Sequence, residues 1–154
     1  MDQVQFHDVL SVDSSQLFST ITHYEDYPQF VDGCESVQLE KRSDGKIRVS
    51  YEVIVMGQRV NYVLDHQENS ELGRVEWALV ESRFFKKNTG SWKVESVGHQ
   101  KSDVIYSLEL EFKVPVPSFI LNRLVKRNLP RLVKSFEKQA KQVRVNFEDS
   151  CLGN

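Results

Sequence analysis

The sequence predicts an α+β fold, a curved antiparallel sheet of about seven strands wrapped around a long C-terminal helix, with two short helices after the first strand. Three observations predict it. From Ser118 to Val145 the apolar residues Leu121, Leu124, Val125, Leu129, Leu132, Val133, Phe136, Ala140 and Val143 fall on one half of a helical cylinder. The cations Arg123, Lys126, Arg127, Arg131, Lys134, Lys138, Lys141 and Arg144 fall on the other half. From Cys34 to Val114 the hydrophobic period is two, in one segment after another, so a one-faced sheet needs a cover, and the only long amphipathic helix is the last one. Ahead of both lies a first alternating stretch followed by a helix-start signal.

Val4, Phe6, Leu10 and Val12 alternate with mostly polar neighbours and predict the first strand. Asp13 is the expected N-cap of a short helix carrying Leu17, Phe18 and Ile21, with Gln16 as its capping-box partner. His23 to Phe30, rich in Tyr, Asp and Pro, reads as a turn or a second short helix. Val37 and Leu39 open the sheet proper, and Ser43-Asp44-Gly45 is a turn. Ile47, Val49, Tyr51, Val53 and Val55 alternate, and Met56-Gly57-Gln58-Arg59 is a tight hairpin connection in which Gly57 supplies a positive φ. Val60, Tyr62 and Leu64 follow, then Val75, Trp77 and Leu79, then Trp92 and Val94. The longest series, Val104, Tyr106, Leu108, Leu110, Phe112 and Val114, ends at Pro115 and Pro117. Pro130 falls inside the final helix, where it removes one backbone hydrogen bond and is expected to kink it.

A chain of 154 residues is one domain of ordinary size. It has no apolar run approaching the roughly 18–20 residues that cross a bilayer, and Met1 to Leu10 lacks the basic-then-apolar order of a signal peptide. Cys34 and Cys151 suggest neither a disulfide framework nor a metal knuckle, so a reduced, cytoplasmic setting is expected. The net charge of −2 conceals a strong asymmetry. The final helix carries eight cations and one acid, a net +7, while the other twelve cations and twenty-one acids leave the rest at −9.

Catalytic machinery is not legible. His7, His23, His66 and His99 are isolated and lack metal-ligand spacing. There is no phosphate-binding glycine loop and no nucleophile elbow. Glu25 and Asp26 read as a solvated rim, and Asp65 and His66 fall on opposite strand faces, so they would not pair. No metal or cofactor is expected.

Two sets of residues remain as candidate sites. Tyr51, Tyr62, Trp77, Trp92 and Tyr106 face the helix if the strands are regular, and they serve either core packing or a ligand cavity. Their polar tips need partners when buried, which suggests either water-filled space or a ligand bearing polar groups. With Leu108, Leu124, Leu132 and Phe136 they form the expected cavity lining. The second set is the stripe Arg127, Arg131, Lys134, Lys138 and Lys141, expected to be exposed and to point away from the cavity. Such a face is either simply solvated or a contact for a polyanion, ribosomal RNA or an anionic membrane surface, and DNA is not expected. The absence of interleaved aromatics argues for phosphate contact rather than base stacking. Membrane attachment would be peripheral, because the apolar face already covers the sheet. Phe84-Phe85 ahead of Lys86-Lys87 reads as an exposed apolar tip, or as inward packing of at least one Phe.

Leu17-Phe18 followed by His23-Tyr24-Glu25-Asp26-Tyr27-Pro28-Gln29-Phe30, the strand Gly90-Ser91-Trp92-Lys93-Val94, and the run Val104 to Val114 together resemble the polyketide cyclase/dehydrase and coenzyme-Q-binding family of the START-like, helix-grip superfamily. The resemblance spans Val4 to Val143. One departure is Gly33-Cys34, where the family usually has Trp-Cys. The resemblance implies a START-like ligand-binding domain over residues 1–147, with a polar tail at 148–154. It also implies a cavity for a lipid, an isoprenoid quinone or a polyketide-like molecule. Because one branch resembles ribosome-association toxins, a ribosome-binding role is the alternative, and polyketide cyclisation or dehydration is a second one.

Overall fold

The computed structural model of the chain describes residues 3–55 and 57–152, with side chains described as far as residue 142. In chain order it contains β1 (Val4–Leu10), α1 (Ser14–Thr22), a 3-10 turn (Tyr24–Asp26), α2 (Tyr27–Phe30), β2 (Cys34–Lys41), β3 (Ile47–Val55) and β4 (Gln58–Asn69). These are followed by β5 (Arg74–Ser82), β6 (Phe85–Gly98), β7 (Lys101–Phe112), α3 (Ser118–Arg123), a π-helical turn (Leu124–Asn128) and α4 (Leu129–Leu152). The seven strands form one sheet in the order β1-β7-β6-β5-β4-β3-β2. β2 to β7 are joined in sequence as an antiparallel meander, and β1 closes the far side by pairing antiparallel with β7, Val4 opposite Leu108 and Leu10 opposite Ser102. The architecture is the expected one, and no helix among the described residues is long and apolar enough to cross a membrane.

The sheet curves because its ladders are interrupted. Register shifts fall between Cys34 and Ser36, between Val63 and Leu64, and at both ends of β6, and each extra residue bends its strand. β6 is the longest strand, and its first half, Phe85 to Gly90, was not evident from periodicity. Lys86, Lys87 and Asn88 mask the alternation there, and the shift between Phe85 and Lys87 changes its parity. The β3–β4 hairpin forms where expected. Val55 pairs with Gln58 across a two-residue turn in which Gly57 has φ +78°; Met56 lies outside the described residues.

Asp13 caps α1, accepting from the backbone N–H groups of Ser15 and Gln16. The capping box is not completed: the buried Gln16 side-chain oxygen has no partner. In the final helix the response to Pro130 differs from a simple kink. Pro130 offers no N–H, and its ring would strike the carbonyl one turn back. The backbone widens over Leu124–Asn128, where the Leu129 N–H bonds to the Leu124 carbonyl. Helical structure then continues to Leu152, past the expected end at Val145; the side chains of Val143, Arg144 and Cys151 lie outside the described residues.

The helix buries Leu129, Val133, Phe136 and Ala140. Phe136 is 2% exposed and stands nearly perpendicular to Tyr27 and Phe30 of α2, with ring centroids 5.1 and 5.0 Å away. Trp92 of β6 lies 5.0 Å from it. A polar clip fixes the helix at the sheet edge. Glu137 accepts the Ser11 N–H at 2.8 Å, and Lys134 lies 3.3 Å from Asp8 and 3.7 Å from Glu137. On the sheet, Gly90 lies opposite Trp77. A Cβ at position 90 would come within 2.2 Å of the indole and 2.5 Å of the Ser107 carbonyl oxygen.

Two stability predictions follow from this packing. Phe136→Ala should cost about 3 kcal/mol in urea unfolding, the low end for a buried Phe, because the site already adjoins empty space; a shift near zero would remove Phe136 from its place at the junction. Gly90→Ala should destabilise by roughly 1–3 kcal/mol and alter the near-ultraviolet signal of Trp77, since the indole must move. An unchanged spectrum would contradict the close approach.

Candidate functional site

Alternation along β3, β4, β5, β6 and β7 sends every second side chain to the concave face, and the helix stands over that face without filling it. The result is a cavity of about 430 Å³. All nine expected lining residues border it: Tyr51, Tyr62, Trp77, Trp92, Tyr106 and Leu108 from the sheet, and Leu124, Leu132 and Phe136 from the helical segment. Tyr62 stacks on Tyr51 at 5.1 Å, and Tyr106 lies against both Trp92 and Trp77 at 4.8 and 5.6 Å. The solvent-exposed residues of the lining, Asp32, Gly33, Asn128 and Arg131, mark the mouth between the α2–β2 loop and the π-helical turn. Gly33 belongs there for a backbone reason. It has φ +81°, its carbonyl accepts the Ile54 N–H at 2.7 Å, and a Cβ would press on the Ile54 carbonyl oxygen.

Several polar side chains of the lining are hydrogen-bonded within the protein. The Tyr51 hydroxyl and His66 Nε2 are 2.9 Å apart. Tyr24 donates to Glu68 at 2.7 Å, Tyr27 donates to the Ile21 carbonyl, and Trp77 Nε1 donates to Asn88 at 3.2 Å. Burial raises Tyr24, Tyr27, Tyr51, Tyr62 and Tyr106 well above the usual phenol range, so all five stay protonated. Burial also pushes the Cys34 thiol up to about 11 and His66 down to about 4. At neutral pH this interior holds neutral donors and acceptors and has no activated nucleophile. Among the described residues no cluster of His, Cys, Asp and Glu could hold a metal ion.

His66, Asn88, Tyr24 and Tyr27 are the polar residues that periodicity did not bring to the cavity. His66 was expected to be an isolated strand or surface residue, yet it is 5% exposed and lines the cavity. The signal was its parity, which places it in line with Val60, Tyr62 and Leu64. Asp65 does face the other way, where it takes two hydrogen bonds from Arg48. Asn88 keeps the parity of Trp92 and Val94 but is polar and follows two lysines, so it carries no apolar signal, and the two tyrosines lie on short helical turns that carry no period.

Arg127, Arg131, Lys134, Lys138 and Lys141 are all exposed. Two of them depart from the picture of a free stripe pointing away from the cavity. Arg131 borders the cavity mouth, because it lies between the faces that carry Leu124 and Ser135, and Lys134 is engaged with Asp8 and Glu137. Phe85 is buried against Tyr62 and Phe112, and Phe84 is half-buried beside them, so this pair is part of the core rather than an exposed tip.

His66 makes stability depend on pH. Above its ordinary value near 6.5, the folded and unfolded chains both carry it neutral. Below that value the unfolded chain binds a proton that the folded chain refuses until about pH 4, so folding stability falls as the pH drops through this window. The loss should reach roughly 3 kcal/mol at full extent. In urea unfolding at pH 7 and pH 4.5, His66→Phe should lose less stability than the unsubstituted protein. Equal losses would mean that His66 titrates normally.

The comparisons agree with this geometry. Ribosome association toxin RatA from Escherichia coli K12 is 22% identical over 143 residues, covering 93% of this chain and 89% of that protein, a distant homologue. A START superfamily protein from Mycobacterium smegmatis superposes with a TM-score of 0.81 at 20% identity, over 93% of this chain and 99% of that one. The Zhui aromatase/cyclase from Streptomyces sp. R1128 superposes with a TM-score of 0.80 at 11% identity, over 91% and 93% of the two chains. The fold is therefore START-like, with the sheet gripping the long helix. The profile of one family spans residues 10–137, from the end of β1 to the clip residue Glu137. Over that span, which includes the whole cavity, the chain belongs to the polyketide cyclase / dehydrase and lipid transport family.

Proposed function

We propose that the protein binds a hydrophobic small molecule, a lipid, an isoprenoid quinone or a polyketide-like compound, in the cavity between its sheet and C-terminal helix, and that it does so without catalysing a reaction on it. The cavity itself carries this reading: about 430 Å³ enclosed by aromatic and aliphatic side chains, within the size range of small-molecule sites. Membership of a family whose description includes lipid transport supports it. A binding role fits the interior chemistry, in which burial keeps the phenols protonated and His66 neutral. Native mass spectrometry of the purified protein should reveal a bound apolar compound that is released on unfolding. Leu132→Trp, which fills the cavity, should abolish the adduct while leaving the far-ultraviolet circular dichroism unchanged. An adduct retained by that variant, or none taken up by the original protein from a lipid extract, would count against the reading.

A second reading rests on the exposed cations of the helix and on the distant relatives named as ribosome association toxins: contact with ribosomal RNA through the basic stripe. Phosphate contacts release counterions, so such binding should weaken steeply with salt. Arg127, Lys138 and Lys141 are the residues to change, because Arg131 borders the cavity and Lys134 is tied to Asp8 and Glu137. Replacing all three with Gln should reduce co-sedimentation with ribosomes at low salt. Equal co-sedimentation of the original and triple-variant proteins would leave the stripe merely solvated.

A further inference from the structure

The apolar face of the last helical segment covers the sheet only from its π-helical turn onward. Among the described residues the hydrophobic core includes Phe112, at the end of β7, and next Leu124; none of Val114, Val116, Phe119, Ile120 and Leu121 between them joins it. α3 packs chiefly against the π-helical turn that follows it rather than on a strand. Phe119 is 63% exposed and Val114 is 45% exposed, with Pro115 and Pro117 exposed beside them and Val116, Ile120 and Leu121 half-buried. An apolar run without a partner in its own chain marks an interaction surface.

The charge around this run has one sign. No acid stands between Glu111 and Glu137. Arg123 shares the outward face of α3 with Phe119, one turn on, and Lys126 and Arg127 are exposed just beyond it. This combination discriminates between occupants. A second copy of the chain seated here by two-fold symmetry would set these cations against one another. An RNA would match the cations, but Val114, Ile120 and Leu121 offer neither charge for phosphate nor a ring for stacking. A bilayer containing anionic lipid answers both features. Its headgroup phosphates meet the cations, and the boundary between headgroups and acyl chains takes the apolar residues.

We propose that residues 114–127 form a membrane-docking surface that lies in the plane of an anionic bilayer, with Val114 and Phe119 entering the headgroup boundary and Arg123, Lys126 and Arg127 on lipid phosphates. This goes beyond the proposed cavity binding and does not depend on it, since none of these five residues lines the cavity. The two are continuous all the same, because the segment runs on into Leu124 and Asn128 of the lining. Docking brings that side of the mouth to the lipid.

Co-sedimentation with vesicles tests the surface, comparing phosphatidylcholine alone with equal parts of phosphatidylcholine and phosphatidylglycerol. The full chain should bind the mixed vesicles and not the neutral ones. Phe119→Ser keeps the charge and should weaken that binding on the order of tenfold, the loss of one inserted ring. Arg123→Gln with Lys126→Gln should weaken it about twenty-five-fold, at about fivefold per cation. Leu132→Trp, which fills the cavity, should bind the vesicles as the original protein does, which separates docking from capture of a lipid inside. Phe119→Trp should gain fluorescence on mixed vesicles that lipids brominated in their acyl chains quench, beyond the response of the original protein, whose Trp77 and Trp92 are buried. No binding to the mixed vesicles, or equal binding by Phe119→Ser and the original, would overturn the docking surface and leave the cavity-binding reading intact. Vesicle binding lost in Leu132→Trp would overturn it too and assign the lipid to the cavity. With vesicles unbound, a dimer that depends on Phe119 would identify a second copy as the occupant, and ribosome co-sedimentation that depends on Phe119 would identify an RNA; either result replaces the membrane.

Discussion

The ring of Phe136 holds the molecule together and also holds it open. It enters the helix–sheet junction edge-on to Tyr27, Phe30 and Trp92, so one side chain of α4 binds the short helix α2 and the middle of the sheet at once. Perpendicular rings keep their neighbours about 5 Å apart, centroid to centroid, which sets a minimum stand-off between the helix and the strands. Beyond that contact the helix offers Leu124, Leu132 and Ser135, which do not reach the far wall, and the cavity is what remains. The clip of Glu137 and Lys134 to Ser11 and Asp8 holds the helix at the sheet edge, so the space does not close by the helix settling inward.

The same constraint determines the electrostatic character of the interior. A cavity walled by aromatic rings is a poor place for charge, and its ionisable groups respond accordingly. The phenols stay protonated and His66 stays neutral. What polarity there is forms short local pairs, Tyr24 with Glu68, Trp77 with Asn88 and Tyr51 with His66. Formal charge lies outside the cavity, at the rim and on the outer faces of the sheet and the helix. A molecule entering this fold passes a charged mouth and arrives in a neutral, hydrogen-bonding interior.

Most of the fold was legible because period-two alternation and one amphipathic helix leave few ways to bury a single-faced sheet. The nine cavity residues were legible for the same reason: six have inward parity on a strand, which is also cavity parity, and Leu124, Leu132 and Phe136 lie on the apolar face of the helical segment. The failures share a cause. His66 has the right parity, but a polar residue among apolar ones does not register as inward-facing. Asn88 likewise shares the inward parity of Trp92 and Val94 but is polar, and Tyr24 and Tyr27 lie on turns too short to show a period. Arg131 borders the mouth although it belongs to the cationic stripe, because a long side chain at the edge of a helical face can serve either side.

The π-helical turn at Leu124–Asn128 divides the last helix into two parts with different freedom to change. Residues after it are held by Phe136 and the clip, while the turn itself contributes Leu124 and Asn128 to the cavity lining. A widened turn is the helical equivalent of a single inserted residue, and removing or adding one there rotates everything upstream by about 100° without disturbing what lies downstream. Short insertions and deletions within the turn would therefore replace the side chain that Leu124 gives to the cavity while the core contacts downstream stay in register. The fold can revise this part of its lining separately from its stability.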